Sequence, residues 1–240
     1  MMKQASNLEE LKKNVKALSK KRKHHKFSPS NYPAWAMCPF WERANREFAG
    51  ASRGTRLHDA WQAIMVEKSQ MHEIIGAYDL NTHDLDGLKW AKNEVMIRCN
   101  KSRFDESSFE NKISFSGLLG EVFSGYVDLI ENEAIWDLKT GAYSNYSKQI
   151  EGYAVAYMQK FGLEKCKAYL LFSDIQRIEP FEFEFESSSK AIEEIVEARK
   201  NVVEGNCEEI ERNGSKFCTF CKFGKYGDLS CKVGLNTKDQ

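Results

Sequence analysis

The 240-residue sequence predicts an α/β or α+β domain built on a mixed central β-sheet flanked by helices. Three observations carry that prediction. Apolar residues at helical spacing dominate the first hundred positions; a strand–turn–strand pattern occupies residues 125–140; and the remainder runs helix, strand, strand, helix.

Leu8, Leu11, Val15 and Leu18 predict a short amphipathic helix that runs into a basic block, Lys20-Lys21-Arg22-Lys23-His24-His25-Lys26. Such a block is either a solvated tail or a phosphate-binding arm. Ser28-Pro29-Ser30 predicts a helix start leading to Tyr32, Trp35, Met37 and Cys38-Pro39-Phe40-Trp41. Gly54-Thr55 opens a further helix with Leu57, Trp61, Ile64 and Met65 on its apolar face, and residues 70–105 are expected to be helical without clear limits. Residues 112–130 alternate like a strand, and 134–140 continue after the polar turn Glu131-Asn132-Glu133. Helical spacing returns over 146–161 through Ile150, Tyr153, Ala154, Tyr157 and Phe161. Lys167–Phe172 predicts a buried strand, residues 181–186 a strand with one wet face, and Ser188–Val203 a helix before a cysteine-rich tail.

Hydrophobic residues make up 42% and charged residues 29% of the chain, ordinary values for a globular protein, and the formal net charge is zero. Any basic surface must therefore be local. The early residues are charged, and no run approaches the roughly 18 apolar residues that cross a bilayer. The expectation is a soluble protein of the cytoplasm (the host cytoplasm for a phage-encoded chain) with no membrane partner. Seven cysteines in such a compartment are expected as thiols or metal ligands. No Gly-x-x-x-x-Gly-Lys-[Ser/Thr] phosphate-binding loop is present, so unwinding would need a helicase or recombinase partner.

The chemistry concentrates in the hairpin. Alternate strand residues share a face, so Asp137 and Lys139 point one way and Trp136 and Leu138 the other. With Asn132-Glu133 central in the turn, Glu131 pairs with Ala134 and Asp128 falls opposite Asp137, two carboxylates about 5 Å apart. Like charges on strands dense with apolar residues require compensation, and an oxygen-rich pair suits Mg²⁺ or Mn²⁺. Lys139 reaches the same space, where it orients water or neutralises a phosphate. The plain alternative is a surface hairpin with solvated aspartates and a local Lys139 salt bridge.

These residues form a recognisable set. Gly125-x-x-Asp128, Asp137-x-Lys139-Thr140-Gly141, Gln149-x-x-x-Tyr153, the upstream Gly54-Thr55-Arg56-Leu57-His58 and the opening Phe27-Ser28-Pro29-Ser30 through Cys38-Pro39-Phe40 resemble, in order, the RecB-like and AddB-like branch of PD-(D/E)xK nucleases, related to CRISPR-associated iron–sulfur exonucleases. The resemblance spans residues 27–231 and implies a restriction-endonuclease-like fold, with residues 1–26 as an arm and 232–240 as a tail. It implies Mg²⁺ or Mn²⁺ at His58, Asp128, Asp137 and the Leu138 carbonyl, with Lys139 acting on the water or the transition state. Gln149 and Tyr153 would contact DNA or brace the site, and Lys21, Arg22 and Lys23 would meet phosphates. Taken alone, His58 and Tyr153 read equally as core residues and Gln149 as a surface residue.

Cys218-x-x-Cys221 is a chelating turn suited to Zn²⁺ or an iron–sulfur cluster. The resemblance adds Cys38 and Cys231 and implies a [4Fe–4S] cluster stapling the N- and C-terminal regions, with structural Zn²⁺ as the alternative. The gap between Cys221 and Cys231 is longer than the family's, which leaves Cys207 as a substitute ligand. The implied activity is a metal-dependent DNA nuclease, an exonuclease preferring single strands or free ends, in recombination, repair or phage replication. The other readings are end trimming in CRISPR adaptation and a non-catalytic DNA-binding module. Trp35, Trp41 and Trp61 either stack on bases or fill the core.

Overall fold

The computed structural model describes residues 27–44, 49–67, 69–117, 122–206, 208, 210–224 and 230–231. The expected amphipathic helix, the basic block with Lys21, Arg22 and Lys23, Cys207 and the tail 232–240 lie outside the described residues.

Helix α1 (Tyr32–Met37) follows a 3₁₀ turn at Pro29–Asn31. Proline suits both positions because the first turn of a helix has no use for its missing N–H. Helix α2 (Ala49–Met65) begins five residues before Gly54, and the glycine lies within it. Helices α3 (Met71–Tyr78) and α4 (Thr82–Cys99) divide the stretch whose limits were not legible, with Asp79 at φ +47° between them. Asn81 caps α4 by accepting the Asp84 N–H at 2.8 Å.

The alternating stretch 112–130 is two strands, β1 (Phe109–Ser116) and β2 (Val122–Glu131). Gly117 and Gly120 mark the break, but the apolar pair Leu118-Leu119 between them keeps the stretch strand-like in sequence. A two-residue turn leads to β3 (Ala134–Lys139), and Asn132 and Glu133 take φ of +51° and +57°. That left-handed pair matches the twist of an antiparallel hairpin. Helix α5 (Ser147–Phe161) carries the chain to β4 (Lys165–Phe172), and β5 (Arg177–Glu184) follows. Helix α6 (Phe185–Glu204) starts at Phe185, so the alternation of 181–186 overran the strand by two residues. Phe185 donates its N–H to the Glu164 carbonyl at 2.8 Å and packs edge-on against Phe115, which turns the chain into the helix.

The sheet order is β1-β2-β3-β4-β5. All neighbours are antiparallel except β3 and β4, which run parallel and are joined through α5. One face buries Tyr32, Trp35, Ile113, Phe123, Ile135, Ile150 and Val196 under α1, α5 and α6. The other buries Leu57, Trp61, Leu88, Leu129, Trp136 and Leu138 under α2, α3 and α4. Strand β3 is buried on both faces, as expected of a central strand with helices on either side.

Candidate active site

Strand β2 changes face at Asp128. In a regular strand Val127 and Leu129 would share a side. Here Val127 enters the core under α1, α5 and α6, whereas Leu129 enters the opposite core. Strand β1 does the same between Phe109 and Ile113, with Glu110 at φ +50°. The β1–β2 ladder accordingly pairs Phe109 with Leu129 and resumes at Asn111 with Val127, passing over Glu110 and Asp128.

The β2–β3 ladder pairs Glu131 with Ala134, as the turn predicts, and ends at Leu129 with Trp136. Asp128 and Asp137 are thus brought together just past the end of the ladder, not as a regular cross-strand pair. The Leu138 N–H donates to Asp128 Oδ2 at 2.8 Å, so the side chain satisfies a backbone donor beyond the paired region.

The other Asp128 oxygen, Oδ1, lies 3.0 Å from Nδ1 of His58 on α2. Burial opposes the charge on His58, but the neighbouring carboxylate outweighs it and holds the imidazole pKa above its ordinary value. Burial likewise opposes the charge on Asp128, and His58, Lys139 and the Leu138 N–H together keep its carboxyl below the usual range.

Asp137 behaves oppositely. It is 3% exposed, and burial together with the Asp128 charge pushes its pKa up, only partly offset by Lys139. Lys139 Nζ lies 2.7 Å from Asp137 Oδ2 in a close ion pair, the contact that offsets part of the cost of burying the carboxylate. Nζ also donates to Gln149 Oε1 at 3.0 Å and sits 4.5 Å from the Tyr146 ring centre. Gln149 Nε2 in turn lies 3.5 Å from the Tyr153 hydroxyl. Gly125 makes room for Tyr153: a Cβ there would stand 2.6 Å from the ring. His58, Asp128, Asp137, Lys139, Gln149 and Tyr153 therefore form one connected cluster where β2 changes face and β3 ends, between α2 and α5.

The donor set fits a hard divalent cation. Burial and the Asp128 charge both raise the cost of ionising Asp137, so a further positive charge beside the two carboxylates is favourable. Among the described residues no three His, Cys, Asp or Glu side chains form a ready-made cage. Mg²⁺ is commonly bound by only one or two carboxylates, with water and substrate phosphate completing its shell.

A second network was not legible in the sequence. Arg53, five residues before His58, donates to Asp174 through Nη1 and Nη2 at 2.9 and 3.0 Å, and to Asp84 Oδ1 through Nη2 at 2.6 Å. Asp174 also accepts the Gly141 N–H at 2.9 Å. These residues come from α2, α4, the turn after β4 and the loop after β3. No local motif could join positions 31 and 121 residues apart.

Cys38, Cys218, Cys221 and Cys231 are all buried thiols. The segments around them are stitched together. Ala44 donates to the Phe220 carbonyl at 2.9 Å, Lys222 to that of Glu42 at 2.6 Å, and Trp41 Nε1 to that of Phe217 at 2.9 Å. Glu42 also pairs with Arg199 and Lys222. These contacts join the N- and C-terminal segments of the domain, and among the described residues the thiols do not form a converged ligand set.

Trp35, Trp41 and Trp61 are buried at 7% exposure or less, which assigns them to the core. Tyr143, on the loop after β3, is 48% exposed. Its ring packs 5.0 Å from Phe172, its hydroxyl donates to Glu179 at 2.8 Å, and the Arg177 guanidinium lies 4.8 Å from its ring centre. Among the described residues no helix is long and apolar enough to cross a membrane.

A family model described as the PD-(D/E)XK nuclease superfamily matches residues 3–226. The crystal structure of SSO0001 aligns with 95% of this chain and 96% of its own at 15% identity, with a TM-score of 0.42, too low a similarity to carry an argument. No curated protein matches the chain.

Proposed function

The chain belongs to the PD-(D/E)XK nuclease superfamily, and from that premise we propose that it hydrolyses DNA phosphodiester bonds at the cluster of His58, Asp128, Asp137 and Lys139. The carrying observation is the buried Asp137 carboxyl, whose pKa is raised by burial and by the neighbouring Asp128 charge, with the Lys139 ammonium 2.7 Å away. Asp128 and Asp137, with the Leu138 carbonyl, would hold Mg²⁺ or Mn²⁺, and His58 would orient Asp128 or join the ligand shell. When bound, the ion supplies Lewis-acid stabilisation of the phosphate and a lowered pKa for the attacking water. Lys139 sets a positive charge where phosphate charge builds up, and Gln149 keeps its ammonium aimed by accepting a hydrogen bond from it. Tyr153 braces Gln149 in turn.

A preference for single strands or free ends is part of the proposal, supported by the half-exposed Tyr143 on the loop that follows Lys139, since an unpaired base can stack on such a ring. A thiolate-held [4Fe–4S] cluster, or Zn²⁺ in its place, at Cys38, Cys218, Cys221 and Cys231 is a further part. Burial of all four thiols supports it.

The deciding experiment incubates end-labelled single- and double-stranded DNA, linear and circular, with the protein and Mg²⁺ or Mn²⁺. Cleavage is expected from the wild type and not from folded Asp137→Ala or Lys139→Ala. Full activity in either variant sinks the assignment, and an inactive wild type sinks the function.

A further inference from the structure

We propose that the Arg53–Asp174 pair is a positioning device, which holds the turn after Lys139 in register with the helix that carries His58. The inference rests on the nuclease reading of the centre. Its geometry is independent of any bound ion.

Lys139 ends β3, and the chain then turns through Thr140 to Gly141 at φ +96°, a conformation with few intrinsic restraints. Three contacts from the β4–β5 turn and α2 restrain it. Asp174 accepts the Gly141 N–H at 2.9 Å, the Ser173 hydroxyl donates to the Lys139 carbonyl at 3.3 Å, and Gly54 admits Thr140 so closely that a Cβ would stand 3.2 Å from its Oγ1. Asp174 is itself fixed by the forked contact from Arg53, a planar, two-bond arrangement that sets orientation as well as distance. Arg53 stands five residues before His58 on the same rigid helix.

The other side of the fork is anchored by Asp84, whose side chain is wholly buried. Burying that carboxylate is costly unless it is paired, so the Arg53 position is strongly determined. Gly87, one turn along α4, holds the β4–β5 turn against the helix: a Cβ there would meet the Ser173 carbonyl oxygen at 2.7 Å. The network thus ties together the two segments that bring His58 and Lys139 to the same space. A displacement of about 1 Å in such a constellation can cost on the order of 100-fold in rate.

The test compares Asp174→Ala, Asp174→Asn and Arg53→Lys in the full chain. Asp174→Asn keeps an acceptor for the Gly141 N–H, whereas Asp174→Ala removes it. Expected for Asp174→Ala is a roughly tenfold to 100-fold fall in kcat with KM for DNA within about twofold, and for Asp174→Asn, which keeps one acceptor but not the fork, a smaller fall. Arg53→Lys, which likewise loses the fork and leaves the Asp174 acceptor in place, should resemble Asp174→Asn. Amide exchange at Gly141, read by NMR without DNA or metal, should quicken in Asp174→Ala and stay slow in Asp174→Asn. Wild-type kcat in Asp174→Ala, equal damage in both Asp174 variants, or unchanged Gly141 exchange in Asp174→Ala overturns the inference. If the wild type cleaves no DNA the nuclease reading fails, and the exchange measurement still decides whether Asp174 restrains this turn.

Discussion

His58 Nδ1 and Asp128 Oδ1 stand 3.0 Å apart although one comes from a helix and the other from a strand 70 positions later. The contact exists because β2 switches faces at Asp128 and leaves its side chain beside the helix α2 layer while its other oxygen takes the Leu138 N–H. A single discontinuity thereby sets the distance between the two halves of the centre.

Binding of a divalent cation should stabilise the protein. Ionised Asp137 is unfavourable where it stands, since burial raises its pKa. A positive charge between the carboxylates relieves that cost. At about 100 times the dissociation constant the gain is about 2.7 kcal/mol, or roughly 5–10 °C in melting temperature for a chain of this size. Differential scanning fluorimetry with Mn²⁺ should show the shift in the wild type and lose it in Asp137→Ala. An unmoved wild-type melting temperature contradicts the proposed ion site.

Tyr143 should matter for unpaired DNA and little for duplex. Stacking of one base on an aromatic ring contributes about 1–3 kcal/mol, so Tyr143→Ala in the inactive Asp137→Ala background should weaken oligo(dT) binding by roughly fivefold to 100-fold. Tyr143→Phe should bind like the parent. Fluorescence anisotropy measures both, and equal affinities for all three proteins remove Tyr143 from the substrate surface.

If the buried thiols hold a cluster, protein purified without oxygen should be brown, absorb near roughly 400 nm and contain iron and sulfide. Cys221→Ser should bleach it and lower the melting temperature, because it removes a cluster ligand at the point where the Arg43 and Cys221 backbones pair. Zinc without colour selects the structural zinc alternative, and metal-free protein rejects both.

Glu42 should contribute pH-dependent stability at that same joint. Burial alone would raise its pKa, but Arg199 and Lys222 outweigh burial and hold the carboxyl below its usual value of 4.5. The folded form therefore binds the proton more weakly than the unfolded chain. The stabilisation is present above about pH 4.5 and is lost as pH falls through the folded-state value. The side chain is 35% exposed, so its contribution is under about 1 kcal/mol. Glu42→Gln should melt up to about 3 °C below the wild type at pH 7 and match it in acid. A gap that persists unchanged in acid assigns the effect to packing.

Much of the site was legible because its residues lie close in sequence on regular elements. Strand alternation separates Asp137 and Lys139 from Trp136 and Leu138, the Asn132-Glu133 turn sets the start of the register, and helical spacing puts Gln149 and Tyr153 one turn apart. Period and turn chemistry are local, and local rules hold wherever the backbone is regular.

They failed where the backbone is irregular. Alternation could not foresee the face change at Glu110, which takes φ +50°, or at Asp128, because neither residue type marks a break in a strand. Nor could it place Arg53 beside Asp174. Sequence alone determined which residues bear charge, which segments are helix or strand, and how the hairpin turns. Only tertiary structure decided that Asp128 meets His58 and that Asp174 restrains the turn after Lys139, since contacts between distant segments depend on how the sheet twists and what packs on each face.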